Sequence, residues 1–236
     1  MLEIKNFSFS YPNGKKAVEN LNLEINNGDL FAFIGHNGAG KTTTIKAIAG
    51  ILDFEDGEIL IDGISVKKNP LECKKMIAYI PDNPDLYESL TGIQYLNFIG
   101  DAFKVPKAKR EELIIKYATE FELLNNLNQF ISSYSHGMKQ KLAIISAFIH
   151  DSKLLIMDEP FVGLDPKAAY IVKKNMREFC ENGGAIFFST HVLEVAQKLC
   201  NKIAIIKKGK LLVNGTMESI IKDSNLEDVF MELSNE

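Results

Sequence analysis

The sequence has 236 residues, a hydrophobic fraction of 46% and a charged fraction of 25%. This is the composition of a folded globular domain, and it excludes a disordered or fibrous chain. Lysine and arginine total 27 and aspartate and glutamate total 31, so the formal net charge is −4. Nucleic acid is therefore a poor expected partner, because the chain has no excess of positive charge to hold a phosphodiester backbone.

Several features of the sequence bear on the location of the protein in the cell. Its apolar runs at residues 142–145 and 147–149 are split by Ser146, and they fall far below the ~20 residues of a membrane-spanning helix. The start carries Glu3 early and lacks the pattern of a secretory signal. The three cysteines are odd in number and lack metal-ligand spacing. We therefore expect a cytoplasmic chain that does not cross a membrane and keeps its cysteines reduced.

Two kinds of strand pattern occur along the chain. Short runs that are apolar throughout predict strands buried on both faces, as in a parallel sheet. Alternating patterns predict half-exposed strands of an antiparallel flank. The first kind occupies residues 30–34, 77–80, 154–157, 186–188 and 203–206, and the second kind occupies residues 2–9, 21–25 and 58–62.

Between Leu86 and about His150 the apolar spacing becomes helical. We expect a single domain over residues 1–236, in which this helical part is an insertion. The predicted parts are a catalytic core with an antiparallel flank (1–83 and 150–213), a helical subdomain (84–149) and a helical tail (214–236). In the tail, Ser224 and Glu227 have the spacing of a capping box for the last helix.

A glycine-rich motif, Gly-His-Asn-Gly-Ala-Gly-Lys-Thr, follows the predicted strand at residues 30–34 and opens a predicted helix. This is the full phosphate-loop pattern in its required context, so it predicts nucleotide binding. Backbone N–H groups and the helix N-terminus are suited to phosphate, Lys41 to the β- and γ-phosphates, and Thr42 to Mg²⁺. His36 is interpreted as an exposed loop residue. The predicted nucleotide-binding residues here are Gly35, Asn37, Gly38, Ala39, Gly40, Lys41, Thr42 and Thr43.

Two adjacent acids, Asp158 and Glu159, end the predicted strand at residues 154–157. Ligands bind at this edge of open α/β sheets. Such a pair can be a solvated strand end, but beside a phosphate loop it predicts Asp158 as a Mg²⁺ ligand and Glu159 as the group that activates water. His191 follows the next strand and can hold the same water, although a lone histidine often only satisfies local hydrogen bonds. The predicted fold class is α/β: a P-loop NTPase core with a mixed sheet and an inserted helical subdomain.

The stretch 134–142, Tyr-Ser-His-Gly-Met-Lys-Gln-Lys-Leu, resembles the signature motif of the ATP-binding subunits of ATP-binding cassette (ABC) transporters. Ser135 and Gly137 match the motif, whereas Tyr134, His136 and Met138 depart from it. The form is similar to that of a bacterial exporter subgroup whose membrane subunits are separate chains. Ser135 is also a natural helix N-cap, so an ordinary capped helix is the alternative reading.

The resemblance implies roles for three further residues. Tyr11 resembles the aromatic residue that stacks on adenine, with a core tyrosine as the alternative. Asp165 resembles a residue that contacts the opposite protomer, or is only an N-cap. Asp82 stands where the family usually has glutamine. Its carboxylate can reach the Mg²⁺ shell through water, but it lacks the hydrogen-bond donors of an amide.

The resemblance also implies an ATPase that uses ATP and Mg²⁺ and powers transport, with export indicated by the subgroup. The expected partners are a separate transmembrane permease subunit and a second cassette, so that two cassettes close head to tail as a homodimer or heterodimer. The helical lobe at residues 84–133 would dock a cytoplasmic helix of the permease, holding the chain on the inner face of the membrane. The alternative is a soluble ABC ATPase that acts on nucleic acid or the ribosome.

Overall fold

The computed structural model describes residues 1–12, 14–222 and 224–235. The strands are β1 (Leu2–Ser10), β2 (Lys16–Ile25), β3 (Leu30–Ile34), β4 (Glu58–Ile61), β5 (Ile64–Ser65), β6 (Ile77–Ile80), β7 (Leu154–Asp158), β8 (Ala185–Thr190), β9 (Lys202–Lys207) and β10 (Lys210–Thr216). The α-helices are α1 (Lys41–Ile48), α2 (Pro70–Met76), α3 (Gly92–Ala102), α4 (Lys107–Glu120), α5 (His136–Ile149), α6 (Pro166–Glu181), α7 (Leu193–Leu199), α8 (Met217–Ile221) and α9 (Leu226–Asn235). Among the described residues, no helix is long and apolar enough to span a bilayer.

The larger sheet has six strands in the order β10-β9-β3-β8-β7-β6. Neighbouring strands from β9 to β6 run parallel, and β10 pairs antiparallel with β9. Every residue of β3, β7 and β8 is buried, as the uninterrupted apolar runs predict for strands covered on both faces. The predicted parallel sheet is confirmed, and the carboxyl ends of its strands meet at one edge.

The predicted antiparallel flank is a second sheet, with the strand order β2-β1-β4-β5. It packs with α1 on one face of the larger sheet, where Phe31 and Phe33 of β3 join the same core as Ile45. The intervening residues Ala32 and Ile34 face the opposite core. The alternation of side chains along β3 thus places it between two hydrophobic layers.

The segment between β6 and β7 is helical, as predicted. Its described residues form α3, α4, α5 and two short 3₁₀ turns, and their only β pairing is a single bridge between Thr91 and Phe130. Helix α5 contacts both this lobe and β6. The lobe is therefore joined to the sheet through α5.

The predicted capping box at the last helix is wrong by one residue. Helix α9 begins at Leu226, so Asn225 occupies the cap, and its side chain accepts a hydrogen bond from the Asp228 N–H at 2.9 Å. The Ser224 hydroxyl instead donates to the Ile221 carbonyl. Asparagine and serine are both favourable N-cap residues, because either side chain can accept a hydrogen bond from a free N–H of the first turn.

His150, at the end of α5, lies in the seam between the helical lobe and the core. Its ring contacts that of Phe103, with 3.7 Å between ring centroids, and only 5% of the residue is exposed. Burial lowers the pKa of His150 to about 4, against the opposing effects of a hydrogen bond to the Lys75 backbone and the charge of Asp151. His150 is therefore neutral in the folded protein at pH 7.

We predict that stability falls as the pH is lowered from about 6.5 to about 4. In this window the unfolded chain takes up a proton on His150 and the folded chain does not. The free energy of unfolding therefore falls by up to about 3 kcal/mol at the lower limit of the window. Urea denaturation at pH 7 and pH 4.5 measures the loss. The variant His150→Gln should flatten this pH dependence, whereas the exposed-site variant His36→Gln should retain it. An unchanged slope in His150→Gln would contradict the assignment.

Candidate nucleotide-binding site

A cleft of about 370 Å³ lies at the edge of the larger sheet where its parallel strands end. One wall is the phosphate loop with the start of α1, and the other carries Asp82, Asp158 and Glu159. Strand β8 separates β3 from β7. The glycine-rich loop and the carboxylates therefore face each other across one intervening strand.

Two glycines fix the path of the phosphate loop. A Cβ atom on Gly35 would lie 2.5 Å from the Ile206 carbonyl oxygen, and one on Gly40 would lie 2.4 Å from that of Ala17. Gly40 also has φ 111° and immediately precedes α1. The backbone approaches its neighbours so closely at these two positions that no side chain fits, and only glycine is accommodated.

The lysine of the motif is held over its own loop. Lys41 is buried, and its Nζ donates to the Gly35 carbonyl at 2.6 Å and lies 3.4 Å from the His36 carbonyl. The same Nζ is 3.6 Å from Oε1 of Glu159. A cation placed between the loop and a carboxylate can bind phosphate at this point of the cleft.

The residues after Lys41 present hydroxyl groups. Thr42 is exposed and lines the cleft. Thr43 is buried, and its hydroxyl lies 3.0 Å from that of Tyr11. Tyr11 also lines the cleft, and its ring meets Phe9 edge-on at 5.1 Å between centroids. The predicted adenine-stacking residue is thus held at the mouth of the cleft.

Asp158 and Glu159 are both directed into the cleft although they are consecutive. Asp158 ends β7 and is buried, and Glu159 has φ 48°. This left-handed backbone turns the chain, so the strand alternation that would separate the two side chains stops there. The turn is supported by Ser189, whose hydroxyl donates to Asp158 Oδ1 at 2.5 Å and accepts from the Glu159 N–H at 3.0 Å.

The two oxygens of Glu159 have different surroundings. Oε2 lies 3.0 Å from Nδ1 of His191. Oε1 is buried and, among the described residues, has no hydrogen-bond partner, although Lys41 is nearby. An unsatisfied carboxylate oxygen inside a cleft is able to accept a hydrogen bond from a water molecule.

Asp82 follows β6 and completes the acidic wall. The pKa of Asp82 is raised, mainly by its partial burial and further by the charges of Asp158 and Glu159. No group of three histidine, cysteine or acidic side chains in the described ranges could hold a metal by itself. The donor set suits Mg²⁺ all the same, because this ion takes one or two carboxylates and a hydroxyl together with phosphate oxygens. Thr42, Asp158 and Asp82 supply such donors.

The signature stretch lies apart from this cleft, and none of its residues is among those described as lining it. Ser135 is exposed and caps α5, its hydroxyl accepting from the Met138 N–H at 3.3 Å. A Cβ on Gly137 would lie 3.0 Å from the Gly163 carbonyl oxygen. The signature therefore packs against the loop that follows β7 in the same chain and presents the N-terminus of α5 outward.

Asp165 in that loop has two partners. It caps α6 by accepting from the Ala168 N–H at 2.8 Å, and it pairs with Lys141 of α5 at 2.8 Å. The hydrogen bond from Lys141, with that from Ala168, lowers the pKa of Asp165. The N-cap reading is confirmed, and the ion pair ties the loop to the signature helix.

Most of the predicted residues meet at the cleft. Gly35 and Ala39 lie next to each other in the phosphate loop, and His191 joins the cleft through Glu159. Those that line it are Tyr11, Asn37, Gly38, Gly40, Lys41, Thr42, Thr43, Asp82, Asp158 and Glu159.

Sequence reasoning assigned no role to three residues that shape this site. Lys15, just before β2, and Ala17, near the start of β2, line the cleft, and no local pattern marks them. Ser189 supports both carboxylates. Ser189 lies directly before Thr190 and His191 at the carboxyl end of a buried strand. This position indicates a site residue, because the carboxyl ends of parallel strands meet at one edge of the sheet.

Comparisons with known proteins agree with this geometry. The family model described as ABC transporter matches residues 18–162. The ABC-type transporter ATP-binding protein EcsA of Bacillus subtilis (strain 168) is 32% identical, over 100% of this chain and 97% of its own length. The SkfA peptide export ATP-binding protein SkfE of the same organism is 33% identical, over 90% and 87%.

A solved structure of the ATP-binding subunit of an ABC transporter has the same fold. It superposes with a TM-score of 0.95 at 35% identity and covers 99% of both chains. The P-loop core, the sheets and the helical insertion are thus shared along the whole length. The chain therefore belongs to the ABC transporter family, as one of its ATP-binding ATPase subunits.

Proposed function

We propose that this chain binds Mg-ATP in the cleft and uses its hydrolysis to power transport through a separate membrane-spanning subunit. The proposal rests on the buried Oε1 of Glu159, which has no hydrogen-bond partner among the described residues and lies 3.6 Å from Lys41 Nζ beside the glycine-rich loop. This places a base, a phosphate-binding cation and a phosphate cradle in one cleft. These are the parts that phosphoryl transfer to water requires.

The phosphates bind to the loop N–H groups and to Lys41, and the adenine stacks on Tyr11, which is 39% exposed. Thr42, Asp158 and Asp82 are the residues that would hold Mg²⁺. When bound, this ion neutralises charge on the phosphate oxygens. Asp82 would reach the Mg²⁺ shell through water, but its carboxylate lacks the hydrogen-bond donors of the usual glutamine.

Glu159 accepts a proton from the attacking water through its Oε1 atom. His191 holds the carboxylate in place through the 3.0 Å contact between Nδ1 and Oε2, which leaves Nε2 for the γ-phosphate. Lys41 lies on the other side of Glu159 and stabilises the charge that develops on the phosphate. Positioning and charge neutralisation therefore supply most of the catalysis.

A second cassette completes each site. Ser135 and the N-terminus of α5 are directed outward rather than into the cleft of their own chain, and a free helix N-terminus with a hydroxyl is suited to an anion. We assign this surface to the γ-phosphate bound by a second copy. Since one chain carries both the phosphate loop and the signature, two identical chains can close head to tail over two ATP molecules.

The membrane partner docks in a groove of about 240 Å³ at the seam between the core and the helical lobe. The groove is largely apolar, and β6, which contributes to it, leads to Asp82 three residues beyond Tyr79. A helix seated there can thus sense the nucleotide site. The residues that line the groove include Ile51, Tyr79, Tyr95, Ile99, Phe103 and His150.

The direction of transport is proposed as export, which the name of the similar peptide-export protein SkfE supports. The chain then lies in the cytoplasm, peripheral on the inner face of the membrane. EcsA is named as a transporter ATP-binding protein and SkfE as a peptide export ATP-binding protein, and the net charge of this chain is negative. No observation favours the alternative of a nucleic-acid or ribosome ATPase.

We predict that Glu159→Gln lowers kcat for ATP hydrolysis by at least about 100-fold, because the amide cannot accept the proton of the attacking water. ATP affinity should stay within about twofold, because Lys41 and the loop remain. Steady-state phosphate release and equilibrium ATP binding measure the two quantities. The control Glu194→Gln, an exposed acid of α7, should hydrolyse normally. Near-normal turnover of Glu159→Gln would remove Glu159 from this role.

We predict that Ile51→Glu prevents docking on the membrane subunit, because it places a charge in an apolar groove. Ile51 is 57% exposed, so the fold should survive, and a thermal melt checks this. The measurement is the binding of the variant to membranes of the source cell from which peripheral proteins have been stripped. The matched control is Ile115→Glu on α4, which is 58% exposed and lies outside the groove. Equal binding by both variants would contradict the assigned groove.

A further inference from the structure

The last described helix contacts the phosphate loop. Phe230 of α9 meets the ring of His36 edge-on, with 4.9 Å between centroids and 62° between ring planes. Phe230 is 7% exposed, whereas His36 is exposed and lines the cleft. A buried aromatic ring from a distant part of the sequence thus supports a residue at the edge of the candidate nucleotide site.

Helix α9 is anchored, so this ring has a fixed place. Leu226 is fully buried in the core that holds β3 and α7, and its N–H donates to Oε1 of Gln197 at 2.9 Å. On the other side, Lys207 Nζ lies 3.5 Å from the Leu233 carbonyl oxygen. Lys207 is the last residue of β9 and follows Ile206. The Ile206 carbonyl oxygen lies against Gly35, the first residue of the phosphate loop. The helix therefore contacts both the loop and the strand that supports it.

His36 controls the first turn of the loop through its backbone. Its carbonyl accepts from the Ala39 N–H at 3.1 Å and lies 3.4 Å from Lys41 Nζ. A shift of His36 consequently moves both the turn and the lysine that faces the phosphates. The side chain of His36 is the part that Phe230 restrains.

We infer that Phe230 is a positioning residue for nucleotide binding, which holds His36 and with it the phosphate loop in the conformation that accepts phosphate. The inference rests on the proposed nucleotide site. Without the ring, the loop samples other conformations, and the apparent affinity falls with the fraction that remains competent. Bound nucleotide holds the loop and Lys41 in the competent conformation, so turnover of the bound nucleotide is not altered.

The test is Phe230→Ala in the full chain. We expect KM for ATP and the dissociation constant of Mg-ADP, measured by calorimetry, to rise by about three- to tenfold, the range of one aromatic contact. The value of kcat should stay within about twofold. Met231→Ala is the matched control, since its side chain is 54% exposed on the same helix. Phe230→Tyr, which keeps an aromatic ring at this position, should restore the affinity for Mg-ADP that Phe230→Ala loses.

His36→Ala removes the contact from the loop side and serves if Phe230→Ala does not fold. It should weaken Mg-ADP binding, and adding Phe230→Ala to it should weaken binding no further. A Phe230→Ala protein that binds Mg-ADP like the wild type, or an equal loss in the presence and absence of His36, would overturn the inference. Lys41→Ala tests the site separately. If Lys41→Ala binds Mg-ADP normally, the proposed nucleotide site itself fails.

Discussion

The site depends on the order of three parallel strands. Strand β8 lies between β3 and β7, so the loop after β3 and the acids after β7 are about 10 Å apart at the edge of the sheet. Ser189 and His191, at the end of β8, fill the space between them and contact both acids. The distance suits a phosphate group with its metal ion and water. The buried strands are thus the frame that sets this distance.

Much of this arrangement could be predicted because it is local in the sequence. Strands buried on both faces are apolar throughout, and the glycines of the phosphate loop have fixed spacing. The contact of Phe230 with His36 joins residues 194 positions apart, and the strand order is likewise set by long-range packing. Neither leaves a local pattern. The cap at Asn225 was missed because Ser224 is an equally good cap residue, and only the register of the helix decides between them.

A backbone turn sets the directions of the two consecutive acids. In a regular strand, the side chains of Asp158 and Glu159 would point to opposite faces. The left-handed turn at Glu159 and the two hydrogen bonds of Ser189 instead bring both into one cleft. A non-glycine residue at positive φ is strained, and such strain is common where a side chain must be aimed at a ligand. The division of roles proposed for the two acids follows from their contacts.

We propose that one chain carries two halves of a catalytic site that cannot meet within it. Ser135 is exposed and apart from the cleft, so in this proposal the site closes between two copies. Light scattering of Glu159→Gln with saturating Mg-ATP measures the mass in solution and tests this proposal. We expect twice the mass of one chain, and a return to one chain when Ser135→Arg is added. A Glu159→Gln protein that binds ATP and keeps the mass of a single chain would rule out the two-chain site.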